Sequence, residues 1–241
     1  MSTATFALLV FTLNEIDGMK QIMPRIQREW VDEIFIVDGG STDGTVEFAR
    51  ENGYPVYVQK RMGFRHAYIE VLDVIKSDYI IAFSPDGNSI AEKIPELTAK
   101  ALEGYDMVTC SRYLRGAKSY DDDLITAFGN SFFTKSINFF HGGTYTDAMV
   151  MYRAVHRKVF AELKLDTDQP FRIPERLFGT RICLMPLLSI QAARKKLRTT
   201  EIPGDEPARI GGERKLKIFR WGMAYYFQII FEMIYRFERL T

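Results

Sequence analysis

The chain has 241 residues, enough for one large domain or two small ones around a substantial core. Its 46% hydrophobic and 26% charged residues are ordinary globular usage and argue against a disordered or fibrous protein. A net charge of +1 leaves no bulk field to gather nucleic acid, so no nucleic-acid partner is expected. Cys110 and Cys183 lie far apart with no CxxC spacing, which fits reduced structural thiols in a cytoplasmic protein. The opening MSTATFALLVFTLNE has no basic n-region and no cleavage site, so its apolar stretch is read as a first strand.

The first half alternates strand and helix patterns. Strands are predicted at Thr5–Thr12, Ile34–Val37, Pro55–Val58, Tyr79–Phe83 and Met107–Cys110. Helices are predicted after Asn14 and Glu15, and over Thr45–Glu51, Arg65–Ile75 and Ala91–Leu102. Such alternation implies βαβ crossovers and a mostly parallel sheet, an α/β fold. No GxGxxG follows the first strand, which excludes the usual dinucleotide-binding fingerprint. Beyond Tyr113 the pattern changes to a polar loop through Asp123 and an aromatic-rich helix over Leu124–Phe140. A strand at Asp147–Tyr152 and a helix at Ala154–Leu163 come next. A helical stretch at Pro174–Leu197, broken by Gly179 and Pro186, leads to a strand at Arg198–Pro203 and a loop from Gly204 to Gly212. Three regions result: 1–111, 112–215 sharing the same core, and the tail 216–241.

The tail reads as one helix over Leu216–Phe237. Arg220, Gln228, Glu232 and Arg236 fall at multiples of four, a narrow polar stripe on an otherwise aromatic and aliphatic surface. Gln228 and Glu232 interrupt the run of about 20 uncharged residues that a spanning helix needs. An interfacial helix on a membrane, or a helix packed in the core or in a homo-oligomer interface, are the open alternatives.

The apolar run Ile34–Val37 stops at Asp38 and enters a turn of small residues that lets backbone approach a ligand. Asp43 or Thr42 can cap the next helix. In open α/β sheets ligands sit at the carboxyl ends of strands, which is where Asp38 lies. The whole segment, VDGGSTDGT at residues 37–45, closely resembles the VDDGSSDGT signature of family 2 glycosyltransferases. In that family the strand-end Asp holds the base of a nucleoside-diphosphate sugar. Further matches run along the chain. FTLNE (11–15) resembles PTYNE, SDYIIAFSPDGN (77–88) resembles GDYVVVMDADLQ, and CSRY (110–113) resembles GSRY. TDAMVMYR (146–153) resembles SDLTSGFR, and RIGGERK (209–215), after EIP, resembles the RxxGxSK loop of the dolichyl- and polyprenyl-phosphate mannosyltransferase-like group.

The resemblance implies a GT-A type, Rossmann-like nucleotide-sugar fold and an inverting, metal-dependent transfer. Donor-binding roles fall on Thr12, Leu13, Glu15, Asp38, Gly40, Ser41, Arg65, Asp86 and Arg112. Asp86 and Asn88 would hold Mg²⁺ or Mn²⁺, as oxygen ligands suit these ions. Ser84 stands where the family has another Asp, which removes one negative charge from the site. Asp86 and Asp147 are the catalytic candidates, Asp147 as the base where the acceptor is a hydroxyl. Arg153, Arg209, Arg214 and Lys215 would face the phosphates of a polyprenyl-phosphate or lipid-linked acceptor. The expected location is the inner face of a membrane, held peripherally. A non-catalytic nucleotide-sugar-binding subunit and a transferase with a soluble acceptor are the alternatives.

Overall fold

The computed structural model describes residues 4–210 and 218–234. Among these residues seven strands form one sheet: β1 (Phe6–Thr12), β2 (Glu33–Asp38), β3 (Val56–Val58), β4 (Tyr79–Phe83), β5 (Met107–Ser111), β6 (Arg153–His156) and β7 (Thr199–Pro203). Their order is β3-β2-β1-β4-β6-β5-β7, and all neighbours are parallel except β6, which runs antiparallel to β4 and to β5. Among the described residues nine α-helices surround it: α1 (Ile16–Ile22), α2 (Thr45–Glu51), α3 (Phe64–Leu72), α4 (Ile94–Ala101), α5 (Leu124–His141), α6 (Lys158–Glu162), α7 (Arg172–Phe178), α8 (Leu184–Arg194) and α9 (Ile218–Ile234).

The alternation of side chains along a strand builds two cores. On β1, Ala7 and Leu9 enter one apolar layer with Tyr68 of α3, Phe160 of α6 and Leu187 of α8. Phe6, Leu8 and Val10 enter the other with Met19 of α1 and Leu97 of α4. Because β6 comes from the second half of the chain yet sits between β4 and β5, residues before and after 111 share both layers.

Two predicted elements are corrected. The strand expected at Asp147–Tyr152 lies at Arg153–His156, and the helix expected at Ala154–Leu163 shrinks to Lys158–Glu162. The cause is local: the Asp147 carboxylate accepts the N–H groups of Met149 and Val150, winding that segment into a turn that cannot pair. Apolar Ala154 and Val155 then become the buried rungs between β4 and β5.

The tail is helical over Ile218–Ile234, and its polar stripe divides: Arg220 is exposed, two members turn inward, and Arg236 lies outside the described residues. Gln228 and Glu232 are buried, and Glu232 accepts hydrogen bonds from Gln191 Nε2 at 2.6 Å and Arg194 Nη1 at 2.7 Å of α8. A carboxylate tolerates burial when it is paired in this way. Besides Arg220, the apolar side chains Met223, Tyr226 and Ile234 are exposed. No helix among the described residues is long and apolar enough to cross a membrane.

Candidate active site

The carboxyl ends of β1, β2, β4, β5 and β7 converge on one edge of the sheet. At β1 and β2 two loops are zipped together. Asp38 is fully buried: Oδ1 accepts the N–H groups of Gly40 and Ser41, both at 2.8 Å, and Oδ2 accepts the hydroxyls of Thr12 and Ser41. Asn14, at φ 57°, takes the N–H of Thr42 on its side-chain oxygen and gives its own N–H to Ser41 Oγ. Asp43 does the capping expected of it, and for two helices: it accepts from Thr45 N and Thr45 Oγ1 at α2 and from Ile16 N at α1. Thr12, Leu13, Glu15, Gly40 and Ser41 thus lie together with Asp38 at the ends of β1 and β2. The Asp38 carboxylate is occupied in shaping this turn.

β4 ends in a tight turn, with Gly87 at φ +91°. Asp86 is buried; its Oδ1 accepts the N–H of Asn88, and its Oδ2 lies 2.8 Å from Arg209 Nη1. The main chain of Ile210 donates to the carbonyl of Asp86, docking the loop after β7 onto this turn. Helix α1 presses on it from the other side: a Cβ at Gly18 would stand 2.2 Å from the Pro85 carbonyl oxygen. The glycine permits the approach.

At the end of β5, Arg112 is held fork to fork by Asp147, with Nε–Oδ2 at 2.6 Å and Nη2–Oδ1 at 3.1 Å, and reaches Glu206 at 3.1 Å. Asp147 is wholly buried. Burial pushes its carboxyl pKa up, but the Arg112 guanidinium outweighs this and holds it below the usual carboxylate range. Glu206 has the opposite balance: burial, only partly offset by Arg112, leaves its pKa raised. These surroundings correct one expectation. Asp147 offers no exposed oxygen to a substrate hydroxyl; it positions Arg112.

Two more expectations are corrected. Arg153 is 0% exposed and points into the core, donating to the carbonyls of Val150 and Ala148 and to Ser189 Oγ. It ties the 147–152 turn to α8 and meets no phosphate. Arg65 lies over the Phe171 ring and pairs with Glu175 at 2.9 Å and Asp168 at 3.1 Å, anchoring α3 to α7. Its charge is already spent there. Arg214 and Lys215 lie outside the described residues.

A cavity of about 280 Å³ counts Ser84, Asp86, Asn88, Arg112, Glu206 and Arg209 among its walls, with Met149 and Tyr152 beside them. It shares Asn88, Arg112, Glu206 and Arg209 with a larger cavity of about 430 Å³, whose other walls include Phe64, Ile125, Phe133, Met185, Trp221 and Tyr225. A charged cleft thus continues into an apolar one beneath α5 and α9. Sequence reasoning missed Glu206 and Gly18. Glu206 was visible as a carboxylate two residues after Gly204 at a strand end; the Gly18 contact joins two distant segments and left no local signal.

A family model described as glycosyl transferase family 2 matches residues 9–164, and the chain belongs to that family: it is a glycosyltransferase. Among curated relatives, glycosyltransferase AglJ of Haloferax volcanii is 28% identical over 88% of this chain and 70% of its own length. An undecaprenyl-phosphate 4-deoxy-4-formamido-L-arabinose transferase of Aeromonas hydrophila is 22% identical over 84% of this chain and 56% of its own. Among solved structures, glucosyl-3-phosphoglycerate synthase of Mycobacterium tuberculosis, in complex with Mn²⁺, UDP and phosphoglyceric acid, superposes with a TM-score of 0.63. The match is 17% identical and covers 94% of this chain and 78% of that one, a likeness of GT-A fold.

Proposed function

We propose that the protein moves a sugar from a nucleoside-diphosphate sugar to a polyprenyl phosphate or lipid-linked acceptor, with inversion at the anomeric carbon. The observation that carries this reading is the continuity of the two cavities. A cleft bearing Asp86, Arg112 and Arg209 suits phosphates, and the apolar space opening from it suits a lipid chain. The undecaprenyl-phosphate transferase among the relatives supports the acceptor class, and the UDP complexes of the structural neighbour support the donor class.

The zipped turns at 12–16 and 38–45 would receive the nucleoside. Asp86 and Asn88 fit a hard divalent cation: one is a carboxylate, and the other's Oδ1 is buried without a hydrogen-bond partner. Bound there, Mg²⁺ or Mn²⁺ would neutralise the departing diphosphate. Arg112, braced by Asp147, presents its guanidinium at the junction of the two cavities, where a phosphate of the acceptor would lie. A phosphate oxygen is already anionic near neutral pH and needs no general base, which agrees with the closed position of Asp147.

The exposed surface adds a location. Leu124, Ile125, Phe128, Phe132 and Phe139 of α5 are exposed, as are Met223 and Tyr226 of α9, and Phe132 stacks on Phe128 and meets the Tyr226 ring at a tilt. A patch of this kind suits the headgroup level of a bilayer and peripheral, reversible attachment. A second reading, a soluble phosphorylated acceptor, is favoured by the phosphoglyceric acid complex of the structural neighbour, since Arg112 and Arg209 would serve either phosphate.

A donor panel tests the reading. Release of nucleoside diphosphate should require a polyprenyl phosphate and Mn²⁺ or Mg²⁺, and should fail in Asp86→Ala. Turnover by Asp86→Ala at the parental rate would overturn the assignment.

A further inference from the structure

The cation facing Asp86 in this structure is a side chain. Arg209 lies 2.8 Å from Asp86 and 3.7 Å from Asp121, joining a carboxylate of the β4 turn to one of the loop before α5. Asn88 completes the group, donating through Nδ2 to Asp121 at 3.1 Å. The fit is imperfect: Asn88 Oδ1 and Arg209 Nε are both buried without a hydrogen-bond partner. An acceptor and a donor left unpaired each cost free energy. The acceptor in particular is what a metal ion would use and a guanidinium here does not.

We propose that Asp121 replaces the carboxylate lost at Ser84, and that Arg209 and a divalent cation are alternative occupants of one site formed by Asp86, Asn88 and Asp121. This deepens the metal-assisted reading above and rests on it. With no donor present, the guanidinium satisfies the two carboxylates and keeps the site from gathering stray cations. A donor's diphosphate brings negative charge that attracts Arg209, and the vacated oxygens take the ion that accompanies the diphosphate. The backbone need not move, because the Ile210 N–H to Asp86 carbonyl bond holds the loop in place while the side chain exchanges partners.

Direct Mn²⁺ binding tests this without turnover, by following the free-Mn²⁺ EPR signal in a titration of the protein alone. Arg209→Ala should bind Mn²⁺ about tenfold more tightly than the parent or better, because a competing cation has gone. Arg209→Lys, which keeps a positive charge, should stay near the parent. Adding Asp121→Asn to Arg209→Ala should abolish the gain. Thermal unfolding without metal establishes that each variant is folded, and a variant that is not is replaced by Asp121→Ser or Arg209→Gln. Unchanged Mn²⁺ affinity in Arg209→Ala, or a gain that survives Asp121→Asn, would overturn the exchange. If the parent still binds Mn²⁺ together with UDP, the metal-assisted reading stands and only the exchange falls. If no protein binds Mn²⁺ even with UDP, both fall.

Discussion

Arg112 and Asp147 form a closed fork at the heart of the cleft, two parallel bonds of 2.6 and 3.1 Å between a guanidinium and a fully buried carboxylate. Removing the carboxylate leaves a largely buried positive charge. Asp147→Asn should therefore cost about 3–5 kcal/mol in urea unfolding, the scale for breaking a buried pair from one side. Activity should fall with it, as Arg112 loses its orientation.

The same pair sets a pH dependence. The Asp147 pKa is lowered in the folded protein: burial raises it, and Arg112 lowers it more. A depressed acid contributes stability that is present above its unfolded pKa, about 4, and lost as pH falls toward the folded value. The melting temperature of the parent should drop more steeply below about pH 4 than that of Asp147→Asn. Parallel curves would show that the pair carries no such linkage.

Asp38→Ala strips four hydrogen bonds from the nucleoside turn and leaves the Thr12 hydroxyl buried without its acceptor. Stability should fall by about 1–3 kcal/mol, and the thermal shift produced by UDP with Mn²⁺ should disappear. A full shift in the variant would detach this turn from the donor.

Gly18→Ala places a methyl 2.2 Å from the Pro85 oxygen, next to Asp86. Overpacking of this kind costs about 1–3 kcal/mol. Calorimetry should also show weaker joint binding of UDP and Mn²⁺, since α1 must push the Asp86 turn aside.

Phe128→Ser together with Phe139→Ser changes side chains that are 72% and 82% exposed. Stability should move by no more than about 0.5 kcal/mol, while sedimentation with anionic liposomes should fall sharply. Unchanged sedimentation, with a dimer lost instead, would make α5 and α9 a subunit interface.

Much of this architecture was legible in the chain. The strands Tyr79–Phe83 and Ile34–Val37 are unbroken apolar runs of the kind buried on both faces, and Gly and Asp at their ends mark where a ligand can approach. What the sequence could not show were partners across space. Arg153 and Arg65 looked like phosphate ligands until Ser189, Glu175 and Asp168 appeared beside them, residues 36 to 110 positions away. The tail left its packing open for the same reason: Gln228 and Glu232 are polar by type, yet α8 supplies Glu232 with Gln191 and Arg194 and so holds that part of the stripe inside. Residues 147–152 were mistaken for a strand because β-formers such as Val150 and Tyr152 outweighed the side-chain turn at Asp147.

The most direct measurement is transfer itself: radiolabelled nucleoside-diphosphate hexoses, offered one at a time with Mn²⁺, to the full-length protein on vesicles containing polyprenyl phosphate. One donor should give an organic-extractable, mild-acid-labile sugar–lipid product, lost on chelation and in Asp86→Ala. Failure of every donor to label the lipid, with the same donors consumed when a soluble phosphorylated acceptor is supplied, would contradict the lipid acceptor and leave the apolar cavity without its assigned role.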